Sequence, residues 1–282
     1  MTAWARELAP IDTAPLFRPL LGELVGLLRA LNSADWERPT VAGAWQVRDL
    51  AAHLLDGDLR KIAVYRDQHR RPLDGPLNSD RDVARFVNGL NQTGVSFGAR
   101  LSPRLLTELL EITGGWVADV VEKLPLDGPS IFAVSWAGET ESLNWMDTGR
   151  EYTERWHHQA QIRDAIGESR LLGLQWVEPL LDISVRALPV AYGSATAEEG
   201  TAVSLEVHSP GAGAWTVIRD GSAWRVVRDR PPSPTALVRV AADDAWRLLF
   251  NAVKSPGLME RVEVVGDADL AQPLLRARAV IL

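Results

Sequence analysis

The 282-residue chain is 46% hydrophobic and 24% charged, with a net charge of −7 and a pI near 5.3. This balance fits a water-soluble globular protein and speaks against a general nucleic-acid binder, because phosphate neutralisation requires clustered Lys and Arg. The absence of cysteine excludes protein disulfides, a Cys-ligated zinc and a protein thiol nucleophile.

The start, MTAWARELAPIDTAP, lacks the basic and apolar regions of a secretory signal. No apolar run reaches the roughly eighteen residues of a membrane span, so a cytoplasmic protein is expected. Pro15 to Asn32 carries leucines at 16, 20, 24, 27 and 31, one helical stripe. Asp12 or Thr13 is placed to cap it, and Pro15 suits its first turn. After a loop with Ser33, Pro39 and Gly43, WQVRDLAAHLLDGDLRKIAVYRD places Val47, Leu50 and Leu54 on one helix face. The basic run from Arg66 to Arg71 reads as a solvated helix end. Arg81 to Arg100 and Pro103 to Leu124 predict two further helices, parted by Ser102-Pro103 as a start signal. A connection rich in Gly, Pro and Ser then leads to a helix containing EYTERWHHQAQIRDAIG. Long helices with a long crossover before the last predict a four-helix bundle.

Leu171 to Tyr192 predicts another helix, interrupted near Pro189, and GSATAEEG marks a boundary. The bundle domain is thus expected over 1–192 and a second domain over 198–282. In that second segment the period changes to that of strands. TAVSLEVHS, AWTVIRD, AWRVVRD, PTALVRV and RVEVVGD read as strands, with Asp220-Gly221 as a hairpin signal. AADDAWRLLFNAV and ADLAQPLLRARAVI read as helices, which gives an α+β domain. The eleven tryptophans are scattered along the chain and read as core anchors.

The helix with the paired histidines holds the strongest chemical signal. With Glu151 at zero, Ile162, Ile166, Tyr152 and Trp156 fall at about 20°, 60°, 100° and 140° around the axis. They define its buried arc. Glu154 and His158 lie at about 300° and 340°, beside that arc. His157, near 240°, falls with Gln161 and Asp164 on the polar side and is expected to face outward. A Glu-x-x-x-His pair can present one oxygen and one nitrogen to a cation. It is equally the pattern of an ordinary helix-stabilising pair contributing a few tenths of a kcal/mol. His53, at the edge of the Val47–Leu50–Leu54 face, is the best third ligand, although spacing alone does not join it to the other two. His69 and His208 read as surface residues.

TVAGAWQVRDLAAHL and REYTERWHHQAQIRDAIG together resemble the mycothiol-dependent maleylpyruvate isomerase family, within the wider DinB-like helical bundles. The resemblance implies His53, Glu154 and His158 as the metal ligands. GSAWRVVRD, AADDAWRLLFNA and VVGDADLAQPLL resemble the sterol-carrier-like α+β domain that follows the bundle in this family. It also implies a small thiol, mycothiol or another, which adds to the cis double bond of maleylpyruvate; rotation about the resulting single bond and loss of the thiol give fumarylpyruvate.

Two imidazoles and a carboxylate leave a divalent cation with open positions. Zinc stands first by ligand type, and Ni²⁺, Fe²⁺ or Mn²⁺ fit the same ligands. The function expected is a metal- and thiol-dependent isomerase or S-transferase acting on a small electrophile. Metal-dependent hydrolysis and non-catalytic metal or ligand binding are the alternatives. The expected partners are these small molecules, with no nucleic acid, membrane or protein partner indicated. Arg85 and Arg239 are candidates to bind a substrate carboxylate. Arg163, at about 120° inside the apolar arc, must be paired if buried; it reads as structural, with Asp49 or Asp56 as partner.

Overall fold

The computed structural model describes residues 4–70, 79–168, 170–209 and 213–280. Arg71 of the basic run, and Pro210 and Gly211 beyond His208, lie outside them. The element order is β1 (Arg6–Glu7), α1 (Phe17–Ala30), α2 (Ser33–Trp36), α3 (Val47–Lys61), α4 (Asp80–Gly98), α5 (Pro103–Val121) and α6 (Asn144–Ile166). It continues with α7 (Leu174–Ser184), α8 (Leu188–Ala191), β2 (Ala202–Ser209), β3 (Gly213–Asp220), β4 (Ala223–Arg228), β5 (Ala236–Ala241), α9 (Ala242–Leu249), β6 (Glu263–Gly266) and α10 (Ala268–Arg276). Helices thus precede a strand-rich segment, an α region followed by α+β. Among the described residues no helix is long and apolar enough to cross a membrane.

The chain divides into two compact units, and neither is one continuous segment. One comprises the described residues of Thr13–Ile131 and Glu154–Ser169; the other holds those up to Asp12, Phe132–Thr153, and those from Arg170 on. The expected boundary at 192–198 lies within the second unit, between α8 and β2.

In the first unit, local chemistry sets the helix ends. Ser102 Oγ accepts from Leu105 N at 3.2 Å, with Pro103 opening α5, where its missing N–H leaves nothing unsatisfied. Asp49 accepts from Gln46 N at 3.0 Å at the start of α3. Before α1, a 3-10 turn over Ala14–Leu16 holds Pro15; Thr13 precedes it, buried and without a side-chain cap bond. Side chains of α1, α3, α5 and the second half of α6 share one apolar core, including Leu24, Leu28, Leu50, Leu54, Leu110 and Ile162. α4 lies against α3 through small residues. A Cβ on Gly98 would collide with that of Ala52, and one on Gly94 with the side chain of Asp56. Gly98→Val should therefore destabilise the protein by roughly 1–3 kcal/mol or more through overpacking, read as a lower urea midpoint with unchanged slope.

In the second unit the sheet order is β1-β4-β3-β2-β5-β6. β2 and β5 pair in parallel, and the other neighbours are antiparallel. Gly221 takes φ +59° in the turn between the paired Asp220 and Ala223, a conformation glycine adopts without strain. α9 packs on β2 and β5. The helix expected over Leu171–Tyr192 is broken by a 3-10 turn at Val185–Ala187, and Pro189 sits in the first turn of α8. Trp36, Trp156, Trp215 and Trp246 are buried, as expected of core anchors, whereas Trp116 on α5 is exposed.

Candidate metal centre

α3 and α6 each bring one side of the site. His53 lies on α3, one turn after its Asp49 cap, and is buried. Its Nε2 stands 3.1 Å from Glu154 Oε1 on α6. One turn further along α6, His158 Nε2 also stands 3.1 Å from the same Oε1. Among the described residues, His53, Glu154 and His158 form a group whose ligand atoms all lie within 4.8 Å of one another. The two imidazoles meet edge to face, with centroids 4.6 Å apart. All three residues belong to the helical unit.

The hydrogen bonds around this group fit a cation. Gln161 Oε1 lies 2.8 Å from His158 Nδ1, so Nδ1 donates to Gln161 and Nε2 is the nitrogen that faces Glu154. A metal-bound histidine is held this way by an acceptor on its far nitrogen, and loss of such a partner costs about 10–100-fold in affinity. Gln161→Leu should weaken metal binding by about that factor, measured by competition with a chromophoric chelator. Burial pushes the His53 imidazolium down from its ordinary value of 6.5 and outweighs the opposing hydrogen bond to Glu154. The Glu154 carboxyl is raised by burial, but the charge and hydrogen bond of His158, the hydrogen bond of His53 and the charge of His157 hold it well below 4.5. At neutral pH the site therefore offers a neutral His53 and an ionised Glu154, the forms a divalent cation requires.

His157 does not face outward. Its side chain is buried, with its ring centroid 4.0 Å from that of His158 and its Nδ1 4.0 Å from Glu154 Oε2. Gln161 is buried as well. Every residue from Trp156 to Arg163 is buried, all round the helix axis, so the polar side of this segment also faces protein. Arg163 is buried and paired, but with Glu168 at 2.8 Å, Glu23 at 3.1 Å and Gln159 at 3.0 Å, not with Asp49 or Asp56. Asp49 serves the α3 cap, and Asp56 pairs with Arg60 at 2.9 Å.

Arg85 lies exposed on α4, 3.2 Å from Asp82. Arg239, on β5 in the other unit, bonds Glu206 at 3.0 Å and Glu263 at 3.2 Å. Three further features of the centre were not picked out as site residues, whatever sequence signal they carried. Trp45 packs with its ring centroid 5.0 Å from that of His53. Gln161 had a weak one, its place three residues after His158. Asp58 is fully buried, 2.6 Å from Arg155 and accepting from Thr113 Oγ1 at 2.7 Å, which sets an ion pair beside Glu154 in sequence.

The sequence profile described as mycothiol maleylpyruvate isomerase N-terminal domain matches residues 17–163, more than half of the chain and inclusive of all three converging residues. Among solved structures, the mycothiol-dependent maleylpyruvate isomerase is similar at 13% identity with a TM-score of 0.55, covering 90% of this chain and 92% of that one. A histidine-to-alanine mutant of that enzyme gives a TM-score of 0.53 at 13% identity, with the same coverage. At this identity the likeness is one of fold. No curated protein matches the chain. From its matched helices and its fold, the chain belongs to the mycothiol maleylpyruvate isomerase N-terminal domain family.

Proposed function

We propose that the chain is a divalent-metal-dependent enzyme that uses a low-molecular-weight thiol, an isomerase or S-transferase acting on a small electrophile. The cis–trans isomerisation of maleylpyruvate, named for its fold neighbours, is the first reaction to test. The observation that supports this reading is the convergence of His53, Glu154 and His158 within 4.8 Å, inside the segment matched by the family.

A divalent cation held by these residues, zinc foremost, would supply Lewis acidity that lowers the pKa of a thiol from its usual ~8.5. The residues themselves do the rest. Two neutral imidazoles and one carboxylate offset only part of a dication's charge, which favours an anionic ligand. Gln161 keeps the proton of His158 on Nδ1 and leaves Nε2 for the site. Trp45 lays an apolar ring beside His53, which limits water on that side. With no cysteine in the chain, the thiol comes from outside.

The test is a maleylpyruvate isomerisation assay on protein of known metal content, with mycothiol or a cysteinyl analogue. Activity that requires both metal and thiol is expected, lost on chelation and restored by Zn²⁺ or Mn²⁺. Turnover that needs metal but ignores thiol would replace this reading with hydrolysis.

A further inference from the structure

Arg60 lies on the His53 face of α3, an arginine fixed in place rather than free on a solvated surface. It follows His53 by two helical turns, offset by about 20° around the axis and about 10 Å along it. Helical side chains lean toward the N-terminus, so its long arm leans back toward His53. Its Nη2 donates to Asn91 Oδ1 at 3.0 Å, and its Nε stands 2.9 Å from Asp56 Oδ2. Asp56 is itself held where α4 approaches α3 at Gly94. The Arg60 side chain is 37% exposed, and among the described residues its Nη1 makes no hydrogen bond.

Between the two residues, one turn from His53 and about 40° round from it, stands Gly57. A Cβ there would meet nothing within 4 Å. The helix surface between the two residues therefore carries no side chain at Gly57 and has room there for one. A locked guanidinium edge across this surface is an arrangement suited to a carboxylate, which takes parallel N–H bonds from arginine.

We infer that Arg60 is the anion-binding group of this site, and that a small molecule bound beside His53 places a carboxylate on Arg60 across the opening at Gly57. The inference rests on the reading of His53, Glu154 and His158 as a metal centre. It assigns that carboxylate contact to a residue of α3, whether the carboxylate belongs to the electrophile or to the thiol.

The full-length, zinc-loaded protein is titrated with maleate, thioglycolate, dimethyl maleate and 2-mercaptoethanol, and binding is followed by calorimetry. Arg60→Met should weaken a carboxylate-bearing probe by about tenfold or more, the loss expected for a charged hydrogen bond. It should leave the affinity for both neutral probes and the zinc content unchanged, and Arg60→Lys should recover part of the loss. Selective loss of maleate assigns the carboxylate to the electrophile, and selective loss of thioglycolate assigns it to the thiol. Gly57→Leu, a change that favours helix, should fill this space and weaken the same probe without releasing zinc. No binding of either anion by the zinc-loaded wild type, or equal affinity in Arg60→Met and Gly57→Leu proteins that retain zinc, would overturn the inference. Failure of the wild type to hold zinc would instead overturn the metal-centre reading on which it rests.

Discussion

His158→Ala protein is expected to purify with metal well below one equivalent, whereas His157→Ala protein should keep most of its metal. Removing His158 deletes a nitrogen that shares Glu154 Oε1 with His53, each at 3.1 Å. Two donors then remain, and the loss should exceed the ~10–100-fold that removal of an outer partner costs. His157 is buried against His158, but its Nδ1 reaches Glu154 only at 4.0 Å. Its removal loosens the packing around the ligand without deleting one. Elemental analysis of both variants, purified without a histidine tag, checks the contrast. Equal metal in His158→Ala and wild type would remove His158 from the centre.

Acid should release the metal, and the sign follows from the two shifted groups. His53 and Glu154 both have lowered values in the folded protein. Their proton-free, ligand-competent forms therefore persist further into acid than in the unfolded chain. For the metal-free protein, the unfolded state binds more protons at mildly acidic pH, so stability falls as pH drops. The His53 contribution is lost from its unfolded value of 6.5 downward, and that of Glu154 from 4.5 downward. Metal retention measured against pH should decline in the same direction, because binding displaces protons.

Asp58→Ala is the second large expected effect, a loss of about 3–5 kcal/mol in folding stability. Asp58 is completely buried, and its carboxylate lies 2.6 Å from Arg155 Nη1. Deleting it removes the carboxylate that meets Arg155, a side chain only 13% exposed, and breaking a buried ion pair from one side is far more costly than the pair is stabilising. Thr113 is less affected, because its hydroxyl also lies 2.9 Å from Leu109 O. Combining Asp58→Leu with Arg155→Met should recover much of the stability, since it replaces both members of the buried pair by apolar side chains of similar volume. Urea denaturation of the single and double variants tests this coupling. Since Arg155 adjoins Glu154 in the chain, the single variant should also disturb the carboxylate's placement and lower metal affinity.

Much of the architecture was legible from period alone. The leucine stripe before Asn32 is α1, Ser102-Pro103 does open α5, and the change to a strand period after GSATAEEG corresponds to β2 through β6. These features depend on a residue and its near neighbours. β1 had no such signal. Two residues, Arg6 and Glu7, become a strand only because β4 offers them an edge, and so short a segment has no periodicity of its own.

The sequence by itself determined which residue types the centre has to offer. With no cysteine and few histidines, it singled out Glu154 and His158 as a pair on one helix edge, and a helical wheel is sufficient for that because the pair is local. Only the tertiary structure decided the rest. It brought His53 to Glu154 across 101 residues of chain, buried His157 and Gln161, and gave Arg163 and Asp58 partners that spacing did not indicate. The physical reason is common to all of these. A wheel reports how one helix divides its own surface, and it assumes that a polar side meets water. From Trp156 to Arg163 the helix is enclosed on every side, so its polar groups are partnered by other segments of the fold, and the identity of those segments is a property of packing.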